Sequence, residues 1–298
     1  MNKIVENLKD GYNEIELKIN LDELVKDSIK FSLEGEKFFI SLFVYRGNEI
    51  VGSITANRDT ERFMSKDILK SSNGFKELQN GDYKISYLLY KEDKVTLKIE
   101  EEESPVDASE EVDIEEDRVK DKSEGWYAGD FHTHTFYSDG NLSPEENIEV
   151  AKKRKLSFFS PTDHNFNQTR FPYTDLLIIE GTEITSKYGH INVFFTNESV
   201  FKKYSVEGLN TEEWLLKVLR EIKDEIYSIN HPFMETFEFL VDDYSLDDLK
   251  LDENYHYVRA NVRCEDGELY GFTNPYFYNL DKSEKKIKTW KELKDLVW

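Results

Sequence analysis

Apolar residues recur along this chain in two rhythms, and the change of rhythm divides it. From Phe31 to Ile99 they come in short runs separated by turn residues. Phe38-Phe-Ile-Ser-Leu-Phe-Val-Tyr45 is rich in β-branched and aromatic side chains, which pack well on a pleated surface, and Arg46-Gly-Asn48 closes it. Ile50 to Thr55 reads as the next strand. Tyr83 to Tyr90 and Lys94 to Ile99 flank a turn at Lys91-Glu-Asp93, and Asn80-Gly-Asp82 is a turn signal just ahead of them. The pattern predicts a small antiparallel β-sandwich over residues 1–99 that serves as scaffold or lid.

Beyond Gly125, strand-like and helix-like segments alternate. Leu156 to Phe159, Leu176 to Ile179, Ile191 to Phe195 and Glu225 to Ile229 read as buried strands. Ser143-Pro-Glu-Glu146 is a helix start: a serine N-cap, proline at the first helical position and glutamate at the third. Ile148 and Ala151 would face inward on that helix. Thr211 caps another, with Trp214, Leu215, Val218, Leu219 and Ile222 on one apolar face. This rhythm predicts parallel βα units of the α/β class. A hairpin follows over 255–280, from Tyr255 to Cys264 and Leu269 to Tyr278. A last helix over 283–298 has Ile287, Trp290, Leu293 and Val297 near helical spacing and is expected to dock on the body.

Between the two parts lies an acidic joint, residues 100–125. Eleven of the eighteen residues from Glu100 to Asp117 are Asp or Glu, and such a run repels itself. It reads as a solvated linker or a loop ordered on the surface. The expected division is therefore 1–99, 100–125 and 126–298.

The chemistry sits at the ends of the predicted strands of the second part. Side chains two apart on a strand share a face, so Asp130, His132 and His134 point the same way. Two imidazoles aimed at one point suit a first-row metal. Polar clusters follow at Thr162-Asp-His-Asn165, Gly181-Thr-Glu183, Gly189-His190 and Asn230-His-Pro232. Together they take five of the six histidines, each beside an apolar run. Unrelated surface histidines would show no such arrangement. Imidazoles mixed with carboxylates suit zinc, manganese or iron, whereas calcium prefers oxygen alone. Arg170 and Lys187 lie near these motifs and are candidates to clamp a phosphate, although an ordinary surface charge is the simpler reading of each.

These motifs resemble the PHP (polymerase and histidinol phosphatase) family of metal-dependent hydrolases, and within it the carbaryl-hydrolase-like CehA/McbA branch. The residues that carry the resemblance are Trp126-Tyr-Ala-Gly-Asp-Phe-His-Thr-His-Thr135 with Ser138-Asp-Gly140, Thr162-Asp-His-Asn165, Glu180-Gly-Thr-Glu-Ile-Thr185 with Gly189-His-Ile-Asn-Val-Phe194, and Asn230-His-Pro-Phe233. Thr273-Asn-Pro275 is similar to the end of that branch. Ser72-Asn-Gly-Phe75 and Asn80-Gly-Asp-Tyr83 are similar to its amino-terminal β-domain. The likeness is dense over residues 126–233 and thin elsewhere.

The resemblance implies a distorted (β/α) barrel behind an N-terminal antiparallel β-sandwich. It implies a first metal on His132, His134 and Glu183, a second on Glu183, His190 and His231, and a third on Asp139 and His164. Asp130 and Asp163 would orient neighbouring histidines. The implied reaction is attack of metal-bound hydroxide on a small phosphoester, a phosphodiester or phosphomonoester; the branch also includes carbamate and other ester hydrolases.

One part of the pattern is missing. The family carries a further Asp-x-His element on a late barrel strand, and here the only histidine after His231 is His256, with no Asp two residues before it. The expected barrel is therefore shortened, and its open edges need cover from the sandwich, the last helix or a second copy of the chain. The first and third pockets are each a ligand short, with Asp242, Asp243, Asp247, Asp248 or His256 as conceivable substitutes. One or two metal ions are expected rather than three. A non-catalytic metal- or ligand-binding module is the alternative that this loss raises.

Composition narrows the partners. A formal net charge of −22 over 298 residues repels phosphate polyanions and argues against duplex nucleic acid or a membrane surface. The single cysteine, Cys264, excludes an intrachain disulfide and suits a reducing compartment. With no signal-like opening and no run long enough to span a bilayer, the expectation is a cytoplasmic protein.

Overall fold

In the first part of the chain, alternate residues of eight strands turn inward and build one core. The strands are β1 (Ile4–Asn7), β2 (Gly11–Ile19), β3 (Ser28–Gly35), β4 (Ile40–Arg46), β5 (Glu49–Ala56), β6 (Thr60–Ser65), β7 (Gly81–Leu89) and β8 (Val95–Glu102). They form two four-stranded antiparallel sheets, β1-β8-β3-β6 and β2-β7-β4-β5. Ile29, Phe31 and Leu33 of β3 share the core with Leu42 and Val44 of β4, Ile85, Tyr87 and Leu89 of β7, and Val95, Leu97 and Ile99 of β8. Each of these triplets follows the period of two that sends alternate side chains to one face. Full burial of one such Leu, Ile or Phe stabilises by roughly 1.5–3 kcal/mol. The sandwich read from the sequence is the sandwich observed.

The computed structural model of the chain describes residues 4–90, 94–114, 127–166, 168, 170–194, 209, 211–222, 226–231, 256–258, 261–263, 269–272 and 276–278, the last four segments as backbone alone. Its packing divides into two units, Met1–Val218 with Glu225–Leu240, and Leu219–Asp224 with Val241–Trp298. The sandwich and all the clustered histidines belong to the first.

Two short stretches of the acidic joint are regular structure, the end of β8 and a further strand. Glu100 and Glu102 continue β8 beside Lys30, whose ammonium lies 3.4 Å from Glu100 and 4.0 Å from Glu102, so the strand is not left with uncompensated charge. Ala108 is buried and bonds through its backbone to Leu69. Strand β9 (Glu111–Asp113) then pairs antiparallel with β12 (Arg170–Pro172). Residues 115–126 lie outside the described residues.

The parallel arrangement predicted for the second part holds for three strands. β10 (Gly129–Thr133), β11 (Phe158–Pro161) and β13 (Leu177–Ile178) pair in parallel. Helix α1 (Pro144–Lys153) makes the crossover from β10 to β11, and its start is the capping box that the sequence announces. Ser143 Oγ accepts from the Glu146 N–H, while Glu146 Oε2 accepts from the Ser143 N–H at 2.8 Å. Ile148 and Ala151 of α1 pack with Phe159, Phe171 and Ile178.

The next three strands run differently. β14 (Gly181–Ser186), β15 (Gly189–Phe194) and β16 (Ile226–Asn230) form an antiparallel sheet. Only Lys187 and Tyr188 connect β14 to β15, and a parallel pair would need a crossover of a dozen residues or more. Helix α2 (Glu212–Glu221), capped by the Thr211 hydroxyl on the Trp214 N–H, precedes β16. Among the described residues the two three-stranded sheets are separate, joined by an isolated parallel bridge between His164 and Glu183, and helices are few. The architecture is thus mostly β, with antiparallel sheets where successive βα units of a barrel were expected.

In the second unit, β17 (His256–Val258) pairs with β20 (Tyr276–Tyr278), and β18 (Asn261–Arg263) with β19 (Leu269–Phe272), both antiparallel, as the predicted hairpin requires. The helix expected over 283–298 lies outside the described residues, as do Asp242, Asp243, Asp247 and Asp248. No described helix is long and apolar enough to cross a membrane.

Candidate metal centre

Period-two alternation builds one wall of the site. On β14 to β16, Ile184, Ile191 and Val193 point to one face and are buried, while Glu183, Thr185, His190, Asn192 and Asn230 share the other. Register does the rest: Glu183 lies opposite Asn192, Thr185 opposite His190, and His190 opposite Asn230. Directly after β11 the chain pairs with β14. The Asn165 N–H bonds to the Glu183 carbonyl at 2.8 Å and the Glu183 N–H to the Asp163 carbonyl at 3.2 Å, which sets His164 beside Glu183. β10 brings in His132, and His134 follows just past its end.

Five imidazoles converge on the Glu183 carboxylate, which is fully buried. Oε2 lies 3.2 Å from His132 Nε2, 3.2 Å from His134 Nε2 and 3.1 Å from His164 Nδ1. Oε1 lies 3.1 Å from His190 Nδ1 and 3.3 Å from His231 Nε2, and accepts from Asn230 Nδ2 at 2.8 Å. Asp139 spans two of these rings, with Oδ1 3.3 Å from His134 Nδ1 and Oδ2 3.4 Å from His164 Nε2. The seven residues expected to bind metal therefore form one connected cluster.

The donor set fits a cation better than it fits hydrogen bonding alone. His132 Nε2 and His134 Nε2 are 3.0 Å apart and face the same carboxylate oxygen. His134 and His164 each face Asp139 with one ring nitrogen and Glu183 with the other, and a neutral imidazole has only one N–H, so hydrogen bonding cannot serve both carboxylates. A divalent ion accepts lone pairs from rings and carboxylates alike. Tetrahedral zinc, with bonds of roughly 2.0–2.1 Å, holds its ligand atoms roughly 3.3 Å apart, close to the spacing of the His132, His134 and Glu183 trio. His134, Asp139 and His164 make a second such group, and His164, Glu183 and His190 a third.

Electrostatics keep both carboxylates of the cluster ionised. Burial works against an ionised Glu183, but the charge of His164 and the hydrogen bonds of His132, His134 and His190 outweigh it and hold the carboxyl well below its usual range. Burial also pushes Asp139 up; the hydrogen bond and charge of His164, with the charge of His134, bring it down to about 2. For His134 burial favours the neutral ring, yet Glu183, Asp139 and Asp163 raise it above the ordinary imidazole value. For His190 burial wins, helped by His164 and His231, and the ring is held below that value. Backbone strain collects here too: Asn165 and His231 have φ of 49° and 26°. For residues other than glycine this region is sparsely populated.

The two aspartates expected to orient histidine rings act on the backbone and on hydroxyls instead. Asp130 is exposed, and its Oδ1 accepts from the His132 N–H at 3.0 Å. Asp163 is buried and accepts four hydrogen bonds, from the Thr135 N–H, the Thr135 and Ser138 hydroxyls and Gln168 Nε2. Ser138 Oγ in turn lies 3.4 Å from His134 Nδ1, so Asp163 steadies that ring at one remove. Arg170 does not join the cluster. Its guanidinium donates to the Ile68 and Ser71 carbonyls of the sandwich and lies 3.7 Å from Glu111. Lys187 is exposed on the β14–β15 turn.

Several residues at the site carried no role in the sequence reading. Thr185 Oγ1 lies 2.5 Å from His164 Nδ1. Asn165 Nδ2 donates to Ser41 Oγ, Tyr90 OH and the Thr185 carbonyl, and its Oδ1 accepts from the Thr185 N–H. Asn230 also donates to Asn192 Oδ1 at 2.7 Å. Thr185, Asn192 and Asn230 were within reach of the period of two that linked His132 to His134. Ser41, Tyr90 and Phe39, whose ring stands edge-on to His164 at 5.5 Å, come from the sandwich and gave no local signal. No protein-family model and no curated protein matches the sequence.

Proposed function

We propose that the chain is a metal-dependent hydrolase of small phosphoesters, working with one or two zinc, manganese or iron ions in the manner of the PHP family that its motifs resemble. The observation that carries the reading is the convergence of five imidazoles on one buried carboxylate, with Asp139 spanning two of the rings. The cluster is also open on one side. His132, His134, Asp139 and His231 have side chains 35, 20, 38 and 27% exposed, against 1% for Glu183 and 5% for His190. Structural metal sites are closed by protein ligands, whereas catalytic ones keep a position for water or substrate.

A bound divalent ion lowers the pKa of water toward roughly 7 and neutralises charge that builds on a phosphoryl oxygen. Glu183 and Asp139 supply the negative charge that retains a cation. Asn230 fixes one Glu183 oxygen, Thr185 fixes His164, and the Asp163–Ser138 pair fixes His134. The open rim of His132, His134, Asp139 and His231 is where a substrate would meet the site. The acidic surface favours a small substrate over a duplex polyanion.

The test is turnover of p-nitrophenyl phosphate and bis-p-nitrophenyl phosphate by metal-reconstituted protein, beside carboxylic-ester and carbamate probes. Phosphoester turnover that needs metal and vanishes in His134→Ala is expected. Turnover of the ester or carbamate alone would move the substrate class, and no turnover by metal-loaded protein would leave a binding module.

A further inference from the structure

Asp139 stands on a turn outside regular structure, yet its carboxylate must meet two imidazoles at once. The turn is held from the sandwich. Arg58, on the connection between β5 and β6, donates through Nη2 to the carbonyls of Asp139 at 2.9 Å and Gly140 at 2.7 Å, and through Nη1 to Asn141 Oδ1 at 3.1 Å. Its Nε–H donates to Asn57 Oδ1 at 3.1 Å, which steadies the guanidinium itself. Four residues later, buried Arg62 donates to the Phe136 carbonyl and lies 5.0 Å from the centre of the Tyr137 ring. The segment has little freedom elsewhere, since a Cβ on Gly140 would come within 2.4 Å of the His134 carbonyl oxygen.

We infer that Arg58 is a positioning residue for a metal pocket made by His134, Asp139 and His164: its fork on two successive carbonyls sets the Asp139 backbone, and through it the direction of the carboxylate. The inference rests on the metal-centre reading above. Sequence gives no hint of it, because Arg58 lies 81 residues from Asp139 in a part with no metal-binding motif. The guanidinium is suited to the task because its planar array of donors reaches three acceptors in fixed directions, where a lysine ammonium on a flexible stem offers a point charge. Among the described residues Arg58 spends its donors on neutral oxygens, in a chain with 61 acidic residues. Its hold on the turn is therefore geometric.

Zinc titration of the full chain by calorimetry, with elemental analysis of the loaded protein, tests this. Asp139→Asn serves as the reference loss for this pocket. Arg58→Ala is expected to weaken the same zinc equivalent by roughly 10–100-fold, the usual cost of losing a residue that orients a ligand, and to leave binding at Glu183 and His190 intact. Because Arg58 is exposed, Arg58→Ala is expected to keep its thermal unfolding midpoint within a few degrees. Arg58→Lys, which keeps the charge and loses the fork, is expected to stay weakened several-fold. Unchanged binding in Arg58→Ala, or full rescue by lysine, would overturn the inference and leave the metal centre standing. An unsubstituted protein that binds no metal would overturn the centre and this inference together. Zinc bound without loss in Asp139→Asn would remove this pocket alone.

Discussion

The two sides of the histidine cluster are built by different means. On one side Glu183, His190, Asn192 and Asn230 sit on three hydrogen-bonded neighbours, β14 to β16, and their positions follow from strand register alone. On the other, Asp139 and His164 sit just beyond strands, and the sandwich holds them in place. Arg58 and Arg62 grip the turn of Asp139, while Ser41 and Tyr90 anchor Asn165 beside His164. A sheet sets its side chains through strand register. A turn needs long-range contacts to reach the same precision. The sandwich is therefore part of the site's construction, as scaffold for one half of it.

The largest effect is expected where the halves meet. Glu183→Gln removes the one anion that all five histidines share, and breaking a buried charge cluster by deleting one partner costs about 3–5 kcal/mol. Urea unfolding of the metal-free protein should show that loss, and metal binding should disappear from both halves. Next comes Asn165→Ala. It takes the Asn165 partner from the buried Thr185 N–H, while the Thr185 carbonyl keeps Tyr90 and the Ser41 hydroxyl keeps Thr55, a cost of about 1–3 kcal/mol in the same assay. A change under about 0.5 kcal/mol would mean that the sandwich does not brace this half.

Gly140→Ala separates the halves more cleanly. The added methyl group meets the His134 backbone, so the turn must move. Zinc affinity at the Asp139 pocket should fall at least about tenfold while the Glu183–His190 side keeps its metal; equal weakening of both would erase the distinction. Asn230→Ala is the mild counterpart on the sheet side, expected to cost about 1 kcal/mol because Glu183 keeps its histidine partners.

Acidity sharpens the contrast. His134 is raised above the ordinary imidazole value, so at mildly acidic pH a metal must displace its proton, and affinity there should climb about tenfold per pH unit until the ring is neutral. His190 is lowered, so protons compete less for its ring and its side should respond less. Zinc titrations at pH 6 and pH 8 would read both slopes. Parallel slopes would contradict the assignment.

What could be read from the sequence follows the same divide. Four of the sandwich strands, the Ser143 capping box and the seven clustered side chains were visible, because alternation, caps and motifs are local patterns. Strand β14 was missed, since Gly181 to Ser186 entered only as polar motifs, and with it the hairpin that the two-residue Lys187-Tyr188 link makes with β15. Arg170 was placed near the chemistry by its position in sequence, whereas its guanidinium serves the joint with the sandwich. Arg58, Tyr90 and Ser41 were out of reach, since only the folded chain brings Arg58 to the Asp139 turn, 81 positions away, and Tyr90 and Ser41 to Asn165, 75 and 124 positions away.

The central claim is that this cluster is a metal centre. Elemental mass spectrometry of protein purified without chelators or an affinity metal, read per chain, tests it most directly. One or more equivalents of zinc, manganese or iron are expected, lost in Glu183→Gln. Protein that holds no metal even after reconstitution would contradict it.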